Sequence, residues 1–272
     1  MKAKIFLIGL VGLALSACSH VDEADRIIEL PKKDFRAADD VFDQRGNVIA
    51  VARQVLLEDF TGQKCVNCPR ATETIEELHE IYGDHLVPVS IHGGDFGFHG
   101  TATNIGLATD TGDAYCEHWK VTYQPVGTIN RHGLEDFEQW SAVMEGEAAK
   151  TTPLRMAAEA TLSGDNISIT VTTDCLDGTY SGKLQVWVLE DGIVAMQAEP
   201  DGLVNLEYVH NHVLRAAVNG TWGDDYTASK GDSRSHSFTQ AVPSSWDRQK
   251  LSVVAFVYND KGVEQVVKTT VK

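Results

Sequence analysis

The stretch from Val55 to Ala71, Val-Leu-Leu-Glu-Asp-Phe-Thr-Gly-Gln-Lys-Cys65-Val-Asn-Cys68-Pro-Arg-Ala, constrains this chain more than any other. An apolar run of strand length gives way to a Thr61-Gly62 turn, and a Cys-x-x-Cys pair then opens a helix. At a helix start the first backbone N–H groups lack partners and the peptide dipoles present their positive end, so a thiolate there is stabilised. Cys65 is the expected nucleophile and Cys68, one turn in, the resolving thiol. Pro69 suits the first turn, where its missing N–H removes nothing.

The residues that follow extend the pattern. Ile75, Leu78, Ile81 and Tyr82 recur at helical spacing before Gly83, and Leu86-Val-Pro-Val-Ser-Ile-His92 has the character of a buried strand. Strand, helix and strand at this spacing predict a right-handed βαβ unit. Gly93 to Gly112 reads as a Gly-rich insertion, Ala114 to Trp119 as a short helix, Gly127 to Asn130 as a strand and Leu134 to Lys150 as a closing helix. The arrangement resembles thioredoxin-like proteins. In that family a Val or Ile four residues before a proline leads to a cis-Pro loop facing the Cys pair, a spacing matched by Val121 and Pro125; a trans proline in an ordinary turn is the alternative. A buried aspartate six residues before the nucleophile corresponds to Asp59, whose raised pKa could relay a proton when Cys68 attacks. The alternative is a solvent-facing Glu58 or Asp59 on an edge strand. Lys64 and Val66-Asn67 depart from the family's Trp and Gly-Pro, so specificity and potential do not carry over, although Lys64 and Arg70 still favour a thiolate.

The N-terminus predicts where this chemistry takes place. Met1-Lys-Ala-Lys followed by apolar Ile5 to Leu15 is a signal peptide over residues 1–17, too short to span a bilayer. Leu15-Ser-Ala-Cys18 matches a bacterial lipobox, which implies a diacylglycerol thioether on Cys18. Ser19 in place of aspartate favours the outer membrane over inner-membrane retention. No later run is long and apolar enough for a membrane helix, so the Cys18 lipid is the expected anchor, with residues 18–50 as lipidated N-terminus and tether. The chain carries 39 acidic against 23 basic side chains, net −16, and loses Lys2 and Lys4 with the leader. Such acidity argues against nucleic acid or anionic lipid as partners.

Residues 151–272 read as β. Leu162 to Thr173 alternates after a Gly-Asp-Asn turn, Lys183 to Glu190 is a strand, and Leu251 to Val271 is a hairpin about Asn259-Asp-Lys-Gly. Short strands at this spacing predict a sandwich. His210 and His212 would share a strand face, yet without a third ligand a polar sheet edge is the better reading.

Glu58-Asp-Phe-Thr-Gly-Gln-Lys-Cys-Val-Asn-Cys-Pro, Ser90-Ile-His-Gly-Gly, Pro125-Val-Gly-Thr-Ile-Asn-Arg and His212-Val-Leu-Arg together resemble the outer-membrane lipoprotein family named for a twenty-eight-kilodalton Omp protein, from about Val55 to the C-terminus. The resemblance implies an α/β thioredoxin-like domain (51–150) followed by an all-β immunoglobulin-like sandwich (151–272). Family roles suggested so far are adhesin and receptor. In an oxidising compartment Cys116 and Cys175 are expected to pair and staple the two halves, the rival being a third redox thiol or a free Cys116. A zinc site on Cys65, Cys68 and His92 is conceivable but rarer than a redox pair. No cofactor or metal is expected.

Two functions follow. One is a thiol–disulfide oxidoreductase acting on protein or peptide disulfides, with Cys65, Cys68, Asp59 and Pro125 as its site. The other is a surface adhesin or receptor-type lipoprotein that binds a surface ligand and keeps its Cys pair as a structural disulfide, since no electron donor is evident.

Overall fold

The computed structural model describes residues 35–272, so the leader, Cys18 and the first part of the tether lie outside the described residues. The described chain opens with β1 (Val41–Phe42) and β2 (Val48–Ala52), a hairpin whose turn is tied by Asp43 accepting from the main chain of Arg45 and Asn47. Next come β3 (Val55–Thr61), α1 (Cys68–Tyr82) and β4 (Leu86–His92), with β3 and β4 parallel as a βαβ unit requires. The insertion leads into α2 (Asp110–Trp119), capped by the Thr109 hydroxyl accepting from Gly112 N. Then β5 (Val126–Ile129) runs antiparallel to β3, and β6 (Leu134–Asp136) pairs with β5. The helix predicted from Leu134 therefore begins later, as α3 (Trp140–Ala148), because β5 claims Leu134 to Asp136 as a partner strand.

After β7 (Thr151–Thr152), which pairs with β2, the chain is β-rich. Its strands are β8 (Leu154–Ser163), β9 (Asn166–Cys175), β10 (Thr179–Glu190), β11 (Ile193–Ala198), β12 (Val204–His210), β13 (Val213–Ala217), β14 (Asp224–Ser229), β15 (Ser233–Ala241), β16 (Leu251–Asn259) and β17 (Gly262–Thr270). The expected terminal hairpin forms from β16 and β17, closed by Asn259 opposite Gly262.

The α/β domain followed by a separate immunoglobulin-like sandwich is not what forms. Of the described residues 47% lie in strands and 19% in helices, so sheet, not an α/β layer, dominates. One sheet in the order β17-β16-β10-β13-β4-β3-β5-β6, with β14 beside β10, crosses the expected boundary at residue 150. Its seam is a parallel contact of Val213 with Ser90, reinforced where Ser90 N donates to His212 O (2.8 Å) and Ser90 Oγ to Asn211 O (3.0 Å). The core gives the physical reason. One face of β3 and β5, through Leu57 and Ile129, packs against Ile75 and Leu78 of α1 and Trp140 and Met144 of α3. The opposite face, through Leu56, Phe60 and Val126, is covered by Tyr115 and Cys116 of α2 together with Trp187, Leu189, Val254 and Phe256 of β10 and β16, so strands share the layer that a three-layer α/β domain fills with helices. Alternation puts Val186, Val188, Val253 and Ala255 of the same strands on their other face, against Ile167, Ile169 and Val171 of the β15-β9-β8 sheet. Strands buried on both faces need continuous apolar runs, and Leu184 to Leu189 is almost such a run, broken only by Gln185.

Candidate functional site

β3 is buried along its whole length and delivers the chain to Gly62, where a side chain would meet the Phe96 carbonyl at 2.3 Å. Glycine at that position lets the loop turn close beneath the insertion, and Lys64 N donates to the same carbonyl (3.1 Å). Cys65 N then donates to Gly62 O and Cys68 N to Cys65 O, which starts α1. Cys65 and Cys68 form a disulfide with Cα atoms 5.4 Å apart, and each is only 2% exposed.

The burial comes from two covers absent from the local pattern. From the insertion, Leu107 N donates to Gln63 Oε1, while Gln63 Nε2 donates to Ile105 O. From the β11–β12 hairpin, Ala198 N donates to Gln63 O, Gln63 Nε2 to Met196 O, and Gln197 Nε2 to Cys65 O (2.9 Å) and more distantly to Gly62 O (3.4 Å). Gln63 and Gln197, both fully or nearly buried, are thus the clamp on the Cys turn. Sequence reading missed both; a glutamine inside the Thr-Gly-Gln-Lys-Cys run was the one local hint, and Gln197 left none.

Beneath the disulfide lies a cavity of about 50 Å³ whose lining mixes polar groups (Asp59, Thr61, Thr72, Glu76, Ser90, His92, Gln197, Tyr208 and His210) with Cys68, Pro69, Ile75 and Val209. Asp59 is 1% exposed on a central strand, and its Oδ1 has no hydrogen-bond partner. Desolvation pushes its carboxyl up to about 8, so it is protonated at neutral pH. Burial drives His210 down to about 4 and His92 well below the usual histidine range, the latter with help from His210 and Arg215. His92 Nδ1 and His210 Nε2 are likewise unpartnered, and the two rings meet edge-on at 5.3 Å. Asp59, His92 and His210 are therefore uncharged at neutral pH, while the Glu76 carboxylate lines the same cavity.

The Gln124–Pro125 peptide is cis. The register of Phe60 with Val126 sets Pro125 beside the end of β3 from which the Cys loop departs. Lys64 and Arg70 turn their cations onto the Phe98 and Phe137 rings. Glu58 points away from the cavity, as alternation dictates, into a fork with Arg131: Nε donates to Oε2 (2.9 Å) and Nη2 to Oε1 (2.8 Å).

The pairing expected of Cys116 and Cys175 is not made. Both are free and buried, but Cys116 belongs to the core between β3 and β10, whereas Cys175 closes β9 in the sandwich core, so different layers hold them apart. Burial and the carboxylates of Asp113 and Asp95 push the Cys116 thiol up to about 12. His210 and His212 share no strand: β12 ends at His210, and His212 turns back at φ 57° to pair with Asp191 (3.0 Å). With Cys65 and Cys68 bonded to each other, no thiolates remain for zinc beside His92. Among the described residues, the group spaced to hold a metal ion is His99, Asp110 and Asp113, where Asp113 is already engaged by His99 and by Gly94 N.

A family model described as "Outer membrane protein Omp28" matches residues 112–272. The chain belongs to the Omp28 family. Its place is accordingly the outer membrane of a Gram-negative envelope, and no helix among the described residues is long and apolar enough to cross a membrane. The family match begins beyond the Cys pair, so membership does not rest on Cys65 and Cys68. Among solved structures, HBP35 of Porphyromonas gingivalis is similar at 17% identity and a TM-score of 0.62, over 80% of this chain and 75% of that one, a likeness of fold. A domain of the outer membrane lipoprotein Omp28 from the same organism is 28% identical over 44% of this chain and 89% of that one, with a TM-score of 0.34. No curated protein matches.

Proposed function

We propose that the protein is a binding lipoprotein of receptor or adhesin type, held at the outer membrane by lipid on Cys18, and that Cys65–Cys68 is a structural disulfide. The observation that carries this reading is the seal over the pair. Thiol–disulfide exchange needs a thiolate to approach a sulfur along the S–S axis, and a 2% exposed Cys65 beneath Gln197 offers no such path. Lipid anchoring rests on the Leu15-Ser-Ala-Cys18 motif together with the outer-membrane family.

One observation favours the oxidoreductase reading: a protonated Asp59 lines the same cavity as Cys68. With the pair reduced, Cys65 thiolate would attack a substrate disulfide and release one substrate thiolate. Cys68 would then give its proton to the ionised fraction of Asp59 and displace the second substrate thiolate, which takes that proton on leaving.

A glutathione titration of the mature chain, with the pair trapped by alkylation and weighed, tests the choice. A pair that stays oxidised below about −300 mV supports the structural role. A midpoint in the catalyst range of roughly −120 to −270 mV overturns it.

A further inference from the structure

The β11–β12 hairpin that seals the disulfide turns an unusual surface to solvent. Leu206 is 70% and Leu203 67% exposed, and Val194, Val204 and Val209 are each about half exposed, so five large aliphatics crowd one two-stranded ribbon. Most of β12 is open to solvent, and among the described residues β12 pairs with β11 alone, leaving its other edge without a strand. β12 has no lysine or proline, and its only blunting is the register shift near Leu206 and Glu207, where Glu207 N donates to Asn205 Oδ1 (3.0 Å). The N–H and C=O groups elsewhere along the edge therefore remain open to a partner strand. Aliphatic patches of this sort on a folded protein mark contact surfaces.

The charges select the occupant. From Ile193 to His210 the chain has Glu199, Asp201 and Glu207 but no lysine or arginine. A second copy docked through β12 would bring the same three carboxylates into one interface, and an anionic bilayer would be repelled in the same way. Saccharides stack on exposed aromatic rings, and the outward side chains here are aliphatic. We infer that β12 is the docking strip for an extended polypeptide segment carrying alternating aliphatic and basic side chains, laid along its free edge with its cations against Glu207 and the acids of the turn. This rests on the binding reading and names where and what the protein binds.

The test uses the full mature chain and a fluorescein-labelled octapeptide of alternating valine and lysine, read by anisotropy, with the valine–glutamate peptide as control. The Val-Lys peptide should bind at least about tenfold more tightly than the control. Leu206→Ser should weaken it about fivefold, and Glu207→Lys, which leaves Glu199 and Asp201 in place, should cut the preference for the Val-Lys peptide severalfold. Both residues are exposed, and unchanged circular dichroism confirms that the variants fold. Equal binding of the two peptides, or indifference to both substitutions, overturns the inference. So does sedimentation showing a dimer that Leu206→Ser dissociates, or binding to phosphatidylcholine vesicles in preference to peptide. Any of these leaves the sealed disulfide intact, so failure of the strip is separable from failure of the structural-disulfide reading on which the binding role rests, which the glutathione titration decides.

Discussion

Gln197 donates its side-chain amide to the main-chain carbonyl of Cys65 at 2.9 Å, so a hairpin 132 residues downstream closes over the Cys-x-x-Cys turn. Accessibility of the disulfide therefore depends on the β11–β12 hairpin as well as on the insertion that holds Gln63 and Lys64.

Gln197→Ala removes this donor and loosens the hairpin over the pair. One hydrogen bond contributes about 1 kcal/mol net, so opening becomes about fivefold more frequent. Reduction by excess dithiothreitol, followed as a pseudo-first-order rate, should accelerate by that factor. An unchanged rate would mean that the seal lies elsewhere.

Asp59 makes the fold sensitive to pH. Its carboxyl stands at about 8 in the folded protein and at about 4 in an unfolded chain. Between those values the folded state keeps a proton that the unfolded state has released, so stability falls as pH rises from about 4 to about 8. Below that window both states are protonated and the penalty vanishes; above it the penalty is complete. Asp59→Asn cannot ionise. It should match the parent near pH 4 and exceed it near pH 8 by an upper bound of about 5 kcal/mol. Urea midpoints of the two proteins across this range check the difference, in which the histidine contributions cancel.

The local grammar of the chain was legible. Leu86 to His92 is a strand over the expected residues and the Cys pair opens α1, because strand alternation, Pro69 and the helical spacing of Ile75 and Leu78 are short-range signals. What covers those elements was not. The joining of Val213 to Ser90 depends on two strands more than a hundred residues apart, and no local period encodes which distant strand becomes a neighbour. The family-like order of strand, Cys pair, helix and cis-Pro suggested a self-contained α/β domain. Trp187 and Phe256, on strands read only as part of a sandwich, in fact share with Tyr115 of α2 the face where such a domain would put helices alone. Gln63 and Gln197 were invisible for the same reason, since an amide acquires a role only through its partners in space.

Cys116 and Cys175 should behave as buried thiols. With the Cys116 thiol pushed up to about 12 and Cys175 also raised by burial, neither forms much thiolate at pH 8. Iodoacetamide should leave a native chain lacking Cys18 unmodified. Unfolding without reductant should add labels at Cys116 and Cys175, and reductant should add further labels at Cys65 and Cys68. Mass spectrometry counts them, and unfolded protein that takes no label before reduction would show that Cys116 and Cys175 pair after all.

The fork between Glu58 and Arg131 ties β3 to the residues after β5 and lies on the face where the two halves meet. The Glu58 side chain is wholly buried and that of Arg131 nearly so. The Arg131 guanidinium also lies over Tyr258 (4.3 Å) and Phe256 (4.8 Å), and its backbone takes φ 59° to get there. Thr128 Oγ1 gives Glu58 a third hydrogen bond at 3.0 Å. Arg131→Met leaves that carboxylate buried without its cation, which should cost about 3–5 kcal/mol. The double substitution Glu58→Gln with Arg131→Met removes both charges, so its cost should fall well below the sum of the two single ones, the mark of a coupled pair. Chemical denaturation of the three variants and the parent measures that coupling. Additive losses would mean that the ion pair is incidental and that the rings around Arg131, through packing alone, hold the halves together.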